Sequence, residues 1–378
     1  MFTFTKNKSA QSFIFFFIIL SVSAFAQPTD PQLEAARKKI EAEKFEDAKV
    51  DLTKILTANP RSKGALNLRG EARIGLLDFY GAISDLTVAL EIDSTLSEAY
   101  HNRGLAKMNL GDDESAIVDY DKAIKFSPKF TNAYTHRGFA KFNLEDLEGA
   151  YFDFSKALEL GPPDADKYYN RGFVKAELGE YVSAIDDYNK AIELGKGDAE
   201  LHNYRGVAYY SLSNFDPAIA DFNEAIKLDP ADPVKYENRA LARNAKGDTK
   251  GAMEDYNHAI EIDSEDPETL NLRGVLKYSL QDFDGAIADY DKAIELDDTN
   301  PTYFDNRALS KAEKEDFAGA VDDYSSSLDL YPNDPETYLQ RGLVKILMNN
   351  KYDGCLDLKR AEELGAEDAK PAIKKNCK

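Results

Sequence analysis

The 378-residue sequence has no tryptophan, four methionines, four histidines and two cysteines. Cys355 and Cys377 both stand near the C-terminus, so no spaced cysteine and histidine set is present for a structural zinc. His101, His136, His202 and His258 fall at different heights along the chain and never pair at i, i+4, which removes the common helical metal motif and leaves packed or solvated histidines. A nucleophile elbow and a glycine-rich phosphate loop are both missing. Acidic runs such as Asp282-Phe283-Asp284-Gly285 misplace the glycine of a calcium loop and read as hairpin turns. Positive charge is scarce: 47 Lys and Arg face 68 Asp and Glu, a net charge of -21. Such a surface repels phosphate backbones and anionic lipid, which disfavours nucleic acid and membrane surfaces as partners.

Long apolar runs are also missing, with one exception at the N-terminus. Lys6 and Lys8 precede an apolar stretch from Phe13 to Val22, broken only by Ser21, and Ala24-Phe25-Ala26 follows ahead of Gln27. The stretch is half of the roughly 20 residues that a membrane-spanning helix needs. Residues 1–26 therefore read as a signal peptide cut after Ala26, with no cysteine nearby to carry a lipid. Losing Lys6 and Lys8 takes the net charge from -21 to -23. The expectation is a periplasmic or secreted protein with no membrane insertion after cleavage.

What the sequence does have is one strict period. Arg69, Arg103, Arg137, Arg171, Arg205, Arg239, Arg273, Arg307 and Arg341 are spaced by 34 residues, and an Asp column from Asp51 to Asp357 keeps the same spacing. The residue after the Arg is always Gly or Ala. Two further columns, beginning at Ala82 and Ala89, are almost entirely alanine. Between them stands a large ring in most units: Tyr120, Phe154, Tyr188, Phe222, Tyr256, Tyr290 and Tyr324. Within each period apolar residues recur at helical spacing on both sides of a central turn, so the unit is a helix-turn-helix. Small residues let the two backbones approach, and the ring fills the space between hairpins.

With an aromatic such as Tyr100, Tyr134, Tyr168 or Tyr236 opening the hairpin, and Pro60, Pro128, Pro162, Pro230 or Pro332 closing it, the pattern resembles the tetratricopeptide repeat family. The resemblance implies an all-α, right-handed superhelical solenoid of ten hairpins over residues 27–368, with repeats starting at 29, 63, 97, 131, 165, 199, 233, 267, 301 and 335. A C-terminal capping helix over residues 369–378 is expected to cover the last hairpin. It also implies a concave groove lined by first helices, on which a partner protein or peptide lies. The side chains that map there are Leu105, Met108, Phe139, Phe142, Tyr169, Phe173, Tyr210 and Tyr278, continued by Leu339, Leu343 and Ile346. A clamp for a chaperone's C-terminal carboxylate is not implied, because Leu33, Arg37 and Asn67 occupy its places.

Antiparallel helices bring Arg103, Arg137, Arg171 and Arg205 level with Asp119, Asp153, Asp187 and Asp221 of their own hairpins. Each Arg is equally level with the Asp of the preceding unit, as Arg103 is with Asp85, so a ladder joining the hairpins is expected. Cys355 and Cys377 lie 11 residues on either side of Ala366, level on antiparallel helices, and a disulfide is expected. The functional expectation is a noncatalytic adaptor without cofactor or metal. The alternative is a structural component of an envelope or secretion complex. An enzyme is the least favoured reading.

Overall fold

A computed structural model describes residues 30–377, which contain 21 helices and no strand. The signal peptide expected over residues 1–26 lies outside the described residues. First helices of the hairpins are α1 (Pro31–Glu41), α3 (Lys63–Gly75), α5 (Ser97–Asn109), α7 (Thr131–Asn143), α9 (Ala165–Glu177), α11 (Ala199–Ser211), α13 (Pro233–Lys246), α15 (Pro267–Ser279), α17 (Pro301–Glu313) and α19 (Pro335–Leu347). Second helices are α2 (Phe45–Ala58), α4 (Phe79–Ile92), α6 (Asp113–Phe126), α8 (Leu147–Leu160), α10 (Tyr181–Glu193), α12 (Phe215–Leu228), α14 (Thr249–Ile262), α16 (Phe283–Leu296), α18 (Phe317–Leu330) and α20 (Lys351–Leu364). A short α21 (Ala369–Asn376) follows.

Local chemistry explains where the helices begin. Proline stands at the start of α13, α15, α17 and α19, where its missing N–H costs nothing. Most second helices are capped by aspartates: Asp146, Asp282 and Asp316 each accept from the backbone N–H of a glycine three residues on, at 3.0 Å. The acidic run at Asp282 is thus a helix cap inside a hairpin turn, with Gly285 keeping the capped approach open.

The alanine columns are fully buried, as at Ala82, Ala89, Ala150, Ala157, Ala286 and Ala293. The rings between them are at most 2% exposed. A Cβ built on Gly274 would stand 2.6 Å from Cε1 of Tyr290, and one on Gly206 equally close to Phe222. The glycine column is therefore a notch that receives the ring of the same hairpin. Burying such a ring contributes on the order of 2 kcal/mol, which offsets the roughly 1 kcal/mol that glycine costs in a helix interior.

The helices gather into two compact units that divide between Gly197 and Asp198. In both, successive first helices meet through residues 35 apart. Asn102 donates to Asn67 at 3.3 Å in the first unit, and Asn238 to Asn203 at 3.0 Å and Asn306 to Asn271 at 2.8 Å in the second. First helices thus form the inner wall of each unit, with second helices behind. At the C-terminus, Ala369 and Ile373 of α21 close over Leu339, Leu358 and Ala361, and Cys355 is bonded to Cys377 with Cα atoms 5.8 Å apart.

Candidate functional site: the inner wall and its supporting ladder

Behind the inner wall the hairpins from α3–α4 onward carry a common Arg–Asp ion pair, whereas the first hairpin has only Lys39 with Asp51. The guanidinium of Arg103 donates from Nε and Nη2 to both carboxylate oxygens of Asp119. Arg137 does so with Asp153, Arg171 with Asp187 and Arg205 with Asp221, at 2.5 to 2.9 Å. These aspartates are at most 5% exposed. The bidentate fork holds the two helices of a hairpin in register. The ring that opens the hairpin, such as Tyr100, Tyr134, Tyr168 or Phe304, lies 5.4 to 5.6 Å from the guanidinium carbon.

Two features of the ladder differ from the sequence expectation. The Arg of one hairpin does not reach the ladder Asp of the hairpin before it. Arg103 instead donates its remaining Nη1 to Thr87 at 3.1 Å, and Arg137, Arg307 and Arg341 reach Asp121, Asp291 and Ser325 in the same way. The reason is that Asp85 faces its own hairpin, where Arg69 and Arg73 engage it, whereas residue 87 lies on the side turned to the next. The second feature is another cation on each Asp. Lys107, Lys141, Lys175, Arg243, Lys277, Lys311 and Lys345, four residues beyond the Arg, reach it at 2.7 to 2.9 Å. Tyr209 breaks this column, and there His202 Nδ1 sits 3.1 Å from Asp221 instead. The signal was in the same 34-residue register as the Arg, masked by the interchange of Lys and Arg.

The apolar strip is less open than the sequence implies. Leu105 is 4% exposed and Leu339 3%, both inside core clusters, so neither offers a free surface. Met108 is half-buried and its sulfur accepts from the Tyr120 hydroxyl at 3.8 Å. Phe139 packs edge-on to Phe154, and Phe142 lies against Phe173 at 5.4 Å across two hairpins. Lys196 sits over the Tyr169 ring at 4.8 Å. Tyr210 leans on Phe215 and Tyr278 on Phe283, and the Tyr278 hydroxyl donates to Glu313 at 3.4 Å. Seven of the eight side chains, Met108, Phe139, Phe142, Tyr169, Phe173, Tyr210 and Tyr278, thus remain partly exposed on the wall. The helices are stacked on two sides, which takes the rest.

Sequence reasoning missed the polar groups among them. His101 and His136, dismissed for lacking i, i+4 spacing, meet across hairpins with Nε2 and Nδ1 2.8 Å apart, both buried. Burial pushes His101 down to about 4 against the support of Asn102, and burial plus the neighbouring ring pushes His136 to about 3. Both folded values lie below the unfolded one near 6.5, so the pair's contribution is whole above pH 6.5 and is lost as pH falls towards 4. Amide protection factors in α5 and α7, taken against the intrinsic exchange rate at each pH, should fall over that window, and His136→Phe should flatten the response. An unchanged acid response in that variant would remove the pair as its source.

In the second unit, Glu200, Asp229 and Asp232 converge closely enough to hold a metal ion, but the fully buried Lys235 ammonium lies among them. Burial opposes that charge, and hydrogen bonds to Asp232, Asp229 and Glu200 outweigh it, raising the Lys235 pKa. Glu237, Glu268 and Asp305 line the same wall. Burial pushes Glu237 up to about 7 and Asp305 to about 6, against hydrogen bonds from Thr269 to the former and from Ser327 and Thr337 to the latter.

Comparison with known proteins places this geometry. A tetratricopeptide repeat model matches residues 97–130, 199–232 and 267–300, a second matches 236–266, and a TPR repeat model matches 174–213. No curated protein matches the chain. Among solved structures, a tetratricopeptide repeat protein from Parabacteroides merdae is 21% identical, with 66% of this chain and 98% of that one covered and a TM-score of 0.51. YrrB, described as a TPR protein with an unusual peptide-binding site, is 25% identical over 47% of this chain and 92% of its own, with a TM-score of 0.44. Yeast Tom70 is 16% identical over 90% and 93%, also with a TM-score of 0.44. The three matches of the first model share one 34-residue phase with the ladder and the glycine notches, and the chain belongs to the tetratricopeptide repeat family, whose members are generally noncatalytic protein-interaction modules.

Proposed function

We propose that the chain is an exported, noncatalytic scaffold that holds a partner protein or peptide along its inner wall, in the periplasm or outside the cell. One observation carries this reading. Positions repeated in every hairpin are consumed by ladder, notch and core, so the half-exposed side chains that vary from hairpin to hairpin, with Phe142 against Phe173, are what distinguishes one stretch of wall from another. Variation on a rigid frame is how repeat arrays acquire specificity. The leader-like residues 1–26 support export, and so does a cysteine pair placed to form a disulfide.

Crosslinking in the native cell with mass-spectrometric readout tests the wall. Phe142→Ala combined with Phe173→Ala should abolish crosslinks to first helices of residues 30–197 while the far-ultraviolet spectrum is kept. Crosslinks confined to second helices, untouched by the double variant, would sink the groove. N-terminal sequencing of the native protein should begin at Gln27, and a chain beginning at Met1 would sink export.

A further inference from the structure

The inner wall of residues 198–377 has a chemistry of its own. Glu237, Glu268 and Asp305 stand on α13, α15 and α17, one carboxylate per successive hairpin. Each is held by a hydroxyl. Thr269 Oγ1 lies 2.6 Å from Glu237 and shares its one proton with Asp266, Tyr303 donates to Glu268 at 3.2 Å, and Thr337 Oγ1 lies 3.1 Å from both oxygens of Asp305 and nearer to Asp334. Among the described residues no lysine or arginine pairs with any of the three, and the charged groups acting on Glu237 are Asp266, Asp232 and Glu268, all acids. Behind them Tyr324 is 1% exposed, yet its hydroxyl has no hydrogen-bond partner. That hydroxyl lies within electrostatic reach of Asp305, Tyr278 and Glu336. A buried donor without an acceptor is costly, and acids without a cation repel one another. The repulsion between the acids falls when a ligand supplies cations.

We propose that this wall seats an extended segment of a partner protein bearing lysine or arginine, with Glu237, Glu268 and Asp305 receiving its cations. The proposal rests on the groove reading and adds the ligand's charge. Three points favour such an occupant. The whole chain carries -21, which steers cations toward it. On α13 itself, two residues before Glu237, the buried Lys235 ammonium already lies among Glu200, Asp229 and Asp232, so this unit accommodates a primary ammonium between carboxylates. Among the described residues, only those three acids converge closely enough for one metal ion, and Glu237, Glu268 and Asp305 are spread over separate hairpins as a chain of spaced cations requires.

The direction of its pH dependence follows. Glu237 faces Asp232, Asp266, Glu268 and the hydroxyls of Thr269 and Tyr256, and Asp305 faces Asp334, Ser327, Thr337 and Tyr324. With Glu237 near 7 and Asp305 near 6, both are protonated in mild acid, and cation binding strengthens as pH rises through that range.

The test uses the full chain and fluorescein-labelled peptides of roughly twelve residues, about 40 Å when extended, in which alanine alternates with lysine, glutamine or glutamate. Fluorescence anisotropy should show the lysine peptide bound about tenfold more tightly than the glutamine peptide, the equivalent of one or two charge-assisted contacts. Combining Glu237→Gln, Glu268→Gln and Asp305→Asn should remove that preference, as should lowering the pH to about 5. Glu261→Gln, Glu295→Gln and Asp329→Asn together make the same charge change on exposed parts of α14, α16 and α18 and should leave it in place. Equal losses in the two triple variants would overturn the proposal as mere long-range attraction. So would equal affinity for lysine and glutamine peptides, and in that case the groove itself survives. Saturation of the same carboxylates by calcium ions, or a dimer that masks them, would overturn it as well. If no peptide binds and crosslinks fall on second helices, the groove reading fails too.

Discussion

Replacing Asp153 with alanine should destabilise the chain by about 3–5 kcal/mol, the cost of leaving buried charge uncompensated. Asp153 is fully buried and receives Arg137 at 2.5 and 2.8 Å and Lys141 at 2.9 Å. Without it a guanidinium and an ammonium, each about four-fifths buried, face each other in a medium that screens them poorly. Arg137→Ala should cost less, about 2 kcal/mol, because Lys141 still compensates the carboxylate. The order of the two effects distinguishes a three-member cluster from a simple pair. Because each hairpin is stabilised by itself and its neighbours, the loss should appear first as faster amide exchange in α7 and α8. Urea denaturation followed by circular dichroism checks the total. A cost for Asp153→Ala under about 1 kcal/mol would mean that the cluster behaves as a solvated surface pair.

Breaking the Cys355–Cys377 bond should cost about 3 kcal/mol, since it closes a loop with a sequence separation of 22. The bond ties α20 to α21, and α21 has only eight residues, too few to persist as a helix unsupported. Its detachment would expose Leu339 and Leu358, the apolar end of the last hairpin. Denaturation with and without reductant measures the difference, and exchange should quicken in α21 before it does in α19. If Cys377→Ser matches the oxidised wild type in both readouts, the apolar contacts of Ala369 and Ile373 hold the cap unaided. The same bond makes the fold depend on an oxidising surrounding, so export and stability are physically linked if the leader acts as proposed.

How far residues alone revealed the site depends on which neighbour is asked about. Arg103 and Asp119 meet because two antiparallel helices joined by a short turn must bring them level, and this geometry repeats with the 34-residue register. The glycine notch at Gly274 and the ring of Tyr290 were legible for the same reason. Arg103 and Thr87 were not, since which face of α4 is turned to the next hairpin depends on how hairpins stagger, and no local pattern encodes that angle. His101 with His136, and Glu200 with Lys235, follow the same offset of 35, one step more than the repeat. Once that offset is known, the inner-wall pairs can be read from the sequence. Leu105 was misplaced because a first helix is covered on two sides, and an apolar residue beside the groove is drawn under its neighbour.

The sequence by itself determined the hairpin, its register and its family, because small residues, rings and charges recurring every 34 positions admit only one way for two helices to close. Tertiary structure alone decided which side chains remain open on the inner wall, where an ammonium settles among carboxylates, and that the helices gather into two units at Gly197 and Asp198. Those outcomes arise from contacts between hairpins, whose stagger is set by the packing of whole surfaces and is written in no single repeat.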